Sequence, residues 1–234
     1  MLKPLRAALL IGCMAACCLP IAGQAGSATP PAAYKPEAMS ADPAGLCETA
    51  VTSAGYAARL PPRLLHAISL TETGRPDASA GRLRPWPWTI NAEGDGQFFT
   101  TRDAAVAAVK ALQASGVHSI DVGCMQVNLM YHPDAFASLE EAFDPTANAR
   151  YAARFLNSLH ADLKDWPKAI GAYHSETPAL GDAYRVLVLA RWQNPDYRTQ
   201  DGPVTAYQAF ARPQAVYGAF QRPTRVYGAF SAPR

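Results

Sequence analysis

Glu72 lies at the end of the run Ile68-Ser69-Leu70-Thr71-Glu72-Thr73-Gly74, a carboxylate closing an otherwise apolar stretch. A carboxyl packed against Ile68 and Leu70, with Met125 as a further candidate neighbour, is poorly hydrated when charged, so its pKa rises. Near neutral pH it then holds a proton that it can give to a poor leaving oxygen, which is general acid chemistry. Other segments carry groups that could assist. Asp121-Val122-Gly123-Cys124-Met125-Gln126-Val127-Asn128 is a glycine-led turn in which Gln126 can both donate and accept. Ala169-Ile170-Gly171-Ala172-Tyr173-His174-Ser175 puts a phenol and an imidazole at a helix terminus. Trp86, Trp88, Phe98 and Phe99 offer flat apolar faces for a ring-shaped ligand, or a small core under a hairpin.

Other chemistries fit less well. His66, His118, His132, His160 and His174 form no His-x-x-x-His pattern, and no Cys-x-x-Cys accompanies them, which argues against zinc. Asn91-Ala92-Glu93-Gly94-Asp95-Gly96 reads like the first half of a calcium loop, but Arg102 stands where the closing Glu belongs. There is no Gly-x-Ser-x-Gly, P-loop or dinucleotide fingerprint. No cofactor is expected.

The elements that must position these groups are mostly helical from Leu46 to about Trp192. Leu46 to Tyr56 is one candidate helix. Pro61-Pro62 opens the next, which carries Leu64, Leu65, Ile68 and Leu70 and runs out near Gly74. Residues 75–100 break the pattern: Thr89-Ile90-Asn91 and Gln97-Phe98-Phe99-Thr100 are short β-prone runs around Glu93-Gly94-Asp95-Gly96, hence a hairpin. Thr100 with Asp103 reads as a capping box for a helix from Ala104 to Leu112 that ends at Gly116. Asp144-Pro145 starts a long helix with Asn148, Tyr151, Ala152, Phe155, Leu156 and Leu159 on its inner stripe. Asp165 caps a short helix through Tyr173, and Ala183 to Trp192 is the last.

The ends of the chain read differently. Lys3 and Arg6 precede the apolar run Ala7–Gly23, and small residues follow, so residues 1–25 are expected to be a signal peptide. Leu10-Ile11-Gly12-Cys13 resembles a lipobox but leaves a very short apolar stretch before it, so cleavage and release into the periplasm are favoured over lipid anchoring. Residues 26–43 read as a flexible leader. Cys47 and Cys124 are the two cysteines beyond residue 25, and in an oxidising compartment they are a candidate disulfide. The formal charge of +2 is too small for a chain dominated by phosphate contacts, so no nucleic-acid partner is expected. It is unevenly spread, however, because residues 206–234 hold four Arg and no acid. In the low-complexity stretch 193–234, Tyr207-Gln208-Ala209-Phe210, Tyr217-Gly218-Ala219-Phe220 and Tyr227-Gly228-Ala229-Phe230 recur every ten residues.

In order and spacing, Glu72-Thr73-Gly74, Gly123-Cys124-Met125-Gln126 and Ala172-Tyr173-His174 resemble the Glu-Ser-Gly, Gly-Leu-Met-Gln and Ala-Tyr-Asn elements of soluble (family 1) lytic transglycosylases. A Phe-Asp-Pro…Asn helix stands between the second and third. The resemblance covers residues 44–192. It implies a mostly α, lysozyme-like catalytic domain with a small hairpin insert, acting on peptidoglycan glycan strands. It implies Glu72 as the catalytic acid, with Thr73 beside it. It also implies Gly123, Met125, Gln126, Tyr173 and His174 around the sugar; Trp88 is the expected stacking face. Thr73 keeps the hydroxyl of the family's Ser and Cys124 the apolar body of its Leu, whereas His174 replaces an amide. The 51 residues from Glu72 to Gly123 form a long insert, as in members that serve secretion, conjugation or flagellar machines, and a component of such a machine is the expected partner of the tail. Most glycosidases need two carboxylates. Asp121, Glu93 and Asp95 are the candidates, of which Asp95 reads as a turn residue and Asp121 as the anchor of the Gly123 turn. The family instead uses one carboxyl, which protonates the leaving oxygen and then deprotonates the C6 hydroxyl to close a 1,6-anhydro ring. The alternatives are a hydrolytic muramidase and an inactive peptidoglycan-binding scaffold.

Overall fold

The computed structural model describes residues 42–195. The expected signal peptide lies outside them, as do the leader up to residue 41 and the tail from residue 196; Asp42 and Pro43, expected in the leader, instead cap and open the first helix, and Gln193, expected in the tail, ends the last described one. Helix α1 (Pro43–Ala57) begins at Asp42, whose carboxylate accepts from the Gly45 N–H at 3.1 Å, with Pro43 in the first helical position. Helix α2 (Leu64–Thr73) is buried along almost its whole length, and its polar Ser69, Thr71, Glu72 and Thr73 find hydrogen-bond partners inside. It runs directly into strand β1 (Gly74–Asp77), which pairs antiparallel with β2 (Arg82–Pro85). Strand β3 (Thr89–Ala92) follows and turns back as β4 (Asp95–Phe98). The two turn residues, Glu93 and Gly94, both have positive φ, the backbone that a type I′ hairpin requires.

Helix α3 (Arg102–Ala114) is capped by Thr101, whose hydroxyl accepts from the Ala104 N–H, rather than by Thr100 as the sequence suggested. Strands β5 (Ile120–Val122) and β6 (Val127–Asn128) complete a four-stranded sheet in the order β4-β3-β5-β6. After the single-turn helix α4 (Leu139–Ala142), helix α5 (Pro145–Leu163) is capped by Asp144 and α6 (Trp166–His174) by Asp165. Each has a Pro in its first turn. Helix α7 (Pro178–Gln193) packs on α2 and α6. The fold is thus mostly α with a small antiparallel sheet. The first hairpin, β1–β2, and the strands β5 and β6 were not legible beforehand.

Two cores result. One is helical, with Val51, Leu65, Ile68, Leu156 and Val188 among its buried residues, and reaches Cys124 and Met125 in the turn between β5 and β6 and Val127 at the start of β6. The other joins the sheet to α3 and α4 through Ile90, Val106, Val109, Val122 and Phe143. The β5–β6 turn and the C-terminal end of α2 lie where the two meet.

Candidate active site

Glu72 occupies the last turn of α2 and is 3% exposed. Its Oε1 accepts a hydrogen bond from the Tyr184 hydroxyl at 2.6 Å. Burial is the main cause that pushes its pKa up to about 8, and the nearby Asp121 carboxylate adds to the rise. The Tyr184 hydrogen bond and the Arg191 guanidinium pull the other way, because both favour the charged form. A carboxyl so placed keeps its proton near neutral pH and has a nearby cation and hydroxyl to steady it once the proton has left.

The turn from Gly123 to Gln126 is held at the carbonyls of Gly123, Cys124 and Met125 and at the Met125 N–H. Asn148, from α5, donates its amide to the Val122 and Ala142 carbonyls and accepts from the Met125 N–H. Gly123 has φ +79°, and a Cβ there would sit 2.5 Å from the Asn148 amide nitrogen, so both backbone and space demand glycine. The Cys124 carbonyl accepts from the hydroxyls of Ser69 and Thr73 at 2.9 and 3.2 Å. The Met125 carbonyl accepts from the Tyr173 hydroxyl at 2.8 Å. The Cys47–Cys124 disulfide ties the same turn to α1.

Several expected roles change accordingly. The Tyr173 hydroxyl, expected around the sugar, bonds the Met125 carbonyl, and the phenol that reaches Glu72 is Tyr184, 112 residues away in sequence. The Thr73 hydroxyl is likewise spent on backbone, donating toward Ser69 and Cys124 carbonyls and accepting from the Trp86 N–H. Met125 is buried in the helical core. His174 lies parallel to Tyr184 with ring centroids 4.6 Å apart, and burial pushes its pKa down to about 4, so its imidazole is neutral and backs the phenol. Trp88 is 7% exposed and packs in the sheet core, edge-on to Trp86, so the ring faces of this insert belong to Trp86 and to Phe98 at 40% exposure.

Gln126 is 7% exposed at a positive φ, its amide N–H groups donate to the Thr89 and Gly123 carbonyls, and its Oε1 has no partner. An unpaired buried amide oxygen is costly, and a ligand N–H would satisfy it. Asp121 sits in β5 rather than capping the turn. The Asn91 and Asn128 amides donate to its two oxygens at 3.2 and 2.8 Å, from register-matched positions on the neighbouring strands. Tyr184 and Arg191 were missed by sequence reasoning. Their one signal is the seven-residue spacing that puts both on one face of a terminal helix.

Among the described residues, no group of three or more His, Cys, Asp and Glu side chains could hold a metal ion, and no helix is long and apolar enough to cross a membrane. Comparison with protein families matches residues 50–185, more than half of the chain, to the transglycosylase SLT domain. Neither a curated protein nor a solved structure matches the chain.

Proposed function

The chain belongs to the transglycosylase SLT domain family, enzymes of the lysozyme-like type that act on peptidoglycan, and from that premise we propose how its residues perform the lytic reaction. Glu72 protonates the oxygen that links N-acetylmuramic acid to N-acetylglucosamine through its β-1,4 bond. As that bond breaks, the substrate's own N-acetyl oxygen supports the anomeric carbon. The Glu72 carboxylate then takes the proton of the C6 hydroxyl, whose oxygen bonds the anomeric carbon and closes a 1,6-anhydro ring. The acid is regenerated and no water is consumed.

The observation that carries this reading is a carboxyl buried at the end of α2, next to the Thr73 that bonds the Gly123–Gln126 turn, with one oxygen engaged by Tyr184 and its pKa raised by that burial. Among the described residues no hydrogen bond engages Oε2, which is therefore the oxygen that presents the proton. The Oε1 of Gln126 accepts from the N-acetyl N–H of the sugar. Residues 44–192 are the catalytic domain, residues 1–25 direct export, and the enzyme remodels the wall locally from the periplasm.

Asp121 gives the hydrolytic reading a specific footing. It is a second carboxylate close enough to raise the pKa of Glu72, and its two oxygens are held in place by amides. One experiment separates the two readings. Sacculi digested in heavy-oxygen water should release anhydro-ended products, one water lighter than reducing-end products and free of label. Labelled reducing ends would install the muramidase reading. Glu72→Gln should abolish either reaction while leaving the fold intact, because the amide neither gives nor takes the proton.

A further inference from the structure

Strands β1 and β2 place two arginines directly opposite each other, Arg75 and Arg84. Like charges facing across an antiparallel pair repel, so each needs compensation. Arg84 has it, with Asp42, Glu48 and Asp77 at 2.8, 2.8 and 3.2 Å. Arg75 forms no ion pair among the described residues. Its guanidinium lies instead over the Trp86 ring, 4.4 Å from the centroid, and 5.6 Å from that of Phe98. Stacking holds the planar fork in one orientation and leaves its N–H groups for a bidentate acceptor.

A cleft of about 410 Å³ lies at this point, with Arg75, Asp77, Ser79, Arg84 and Trp86 among its walls. The Asp77 carboxylate is already saturated by the Ser79 hydroxyl, the Ser79 and Ala80 N–H groups and Arg84. Arg75 is therefore the charge in the cleft wall that no other described residue offsets, and the cleft favours an anion. It also adjoins the acid. The Trp86 N–H donates to the hydroxyl of Thr73, the neighbour of Glu72, and Arg75 follows Glu72 within about 10 Å of extended chain.

We propose that Arg75, stacked on Trp86 at this cleft, is a carboxylate subsite that recognises the peptide stem borne by the glycan. The proposal rests on the lytic transglycosylase reading above. A neutral amino-sugar polymer offers such a site nothing. A peptidoglycan strand passing Glu72 carries stem carboxylates, each a planar acceptor that matches the guanidinium fork.

The test compares wild type, Arg75→Gln and Arg75→Lys on glycan strands with their stems and on strands stripped of stems by an amidase, their exposed lactyl carboxylates then capped as amides. Arg75→Gln should lose about tenfold in kcat/KM on stem-bearing strands, the scale of one charge-assisted contact, with the loss in KM. On stripped strands it should match wild type. Arg75→Lys, which keeps the charge but not the fork, should fall between. Binding of stem-bearing strands to the Glu72→Gln protein, by calorimetry, should weaken by the same factor when Arg75→Gln is added. Equal loss on both substrates, or loss on neither, overturns the subsite. Wild type that cleaves neither substrate overturns the transglycosylase reading itself.

Discussion

A hydroxyl donating to one carboxyl oxygen decides where the proton sits on the other, and Tyr184 does this to Glu72 at 2.6 Å. The same bond holds the Glu72 pKa below the value that burial alone would set. Tyr184→Phe should therefore move the alkaline limb of kcat/KM to higher pH, because the acid form persists longer. It should also lower kcat, because the carboxyl loses its orientation. A limb that stays in place in a folded variant would separate Tyr184 from proton transfer. The shift has a stability counterpart. The folded protein keeps a proton on Glu72 that the unfolded chain releases between its ordinary pKa of 4.5 and about 8. The resulting stability is fully present below 4.5 and is lost as pH rises through 8, on the order of 5 kcal/mol in all. Glu72→Gln abolishes that slope. Its melting temperature should hold nearly level from about pH 7 to about pH 9, above the range in which the buried His132 and His174 titrate in the unfolded chain, while that of wild type falls. Parallel decline of both would mean that Glu72 is not the group titrating.

The turn between β5 and β6 is a device assembled from four elements: α5 through Asn148, α2 through Ser69 and Thr73, α6 through Tyr173, and α1 through the disulfide. Asn148→Ala would leave the Met125 N–H and the Val122 and Ala142 carbonyls buried without this partner. The expected cost is roughly 3 kcal/mol or more, read as a lowered denaturation midpoint with glycan turnover impaired beyond the loss of fold. Opening the disulfide, which spans 77 residues, should cost about 4 kcal/mol through the unfolded chain. Melting with and without reductant measures it, and two alkylatable thiols in the exported protein would refute the bridge. The helices around this device were legible because Asp-Pro starts and apolar spacing are local signals. Glu72 and the Gly123 turn were legible because their motifs are short and ordered. The β1–β2 hairpin was not, since Gly74-Arg-Pro-Asp77 and Arg82-Leu-Arg-Pro85 are poor strand sequences. What holds them is tertiary, namely Arg84 among three carboxylates, with Asp77 and Gly81 (φ +66°) shaping the turn between the strands. Tyr184 stayed hidden for the same reason, because nothing local in α7 points to a carboxyl 112 residues away. Trp88 looked like a sugar platform because sequence gives a ring's type and not which side of the sheet covers it; the second core does.

At the scale of the whole molecule, the helical core and the sheet core together use described residues from Cys47 to Trp192, and the proposed acid lies where they meet. Helix α7, which supplies Tyr184 and Arg191, ends at Gln193 and is anchored there: the Trp192 indole donates to the Pro62 carbonyl and Arg63 donates to the Trp192 carbonyl. Helix α7 is thus complete within the described residues, and the repeated Tyr-x-Ala-Phe segment begins 14 residues after its end, at Tyr207. That segment lies outside the described residues, and its sequence suits a tether. It carries regular aromatic anchors, four Arg and no acid, and weak contacts on one chain gain from multivalency. Deleting residues 203–234 should leave the melting temperature and the turnover of isolated sacculi unchanged. If the tail is such a tether, the same deletion should reduce co-purification of partner proteins from cells and change the localisation of a tagged protein. A truncated chain that melts early or fails on isolated sacculi would make the tail part of the catalytic fold. One that behaves as wild type in cells as well would deny the tail a partner.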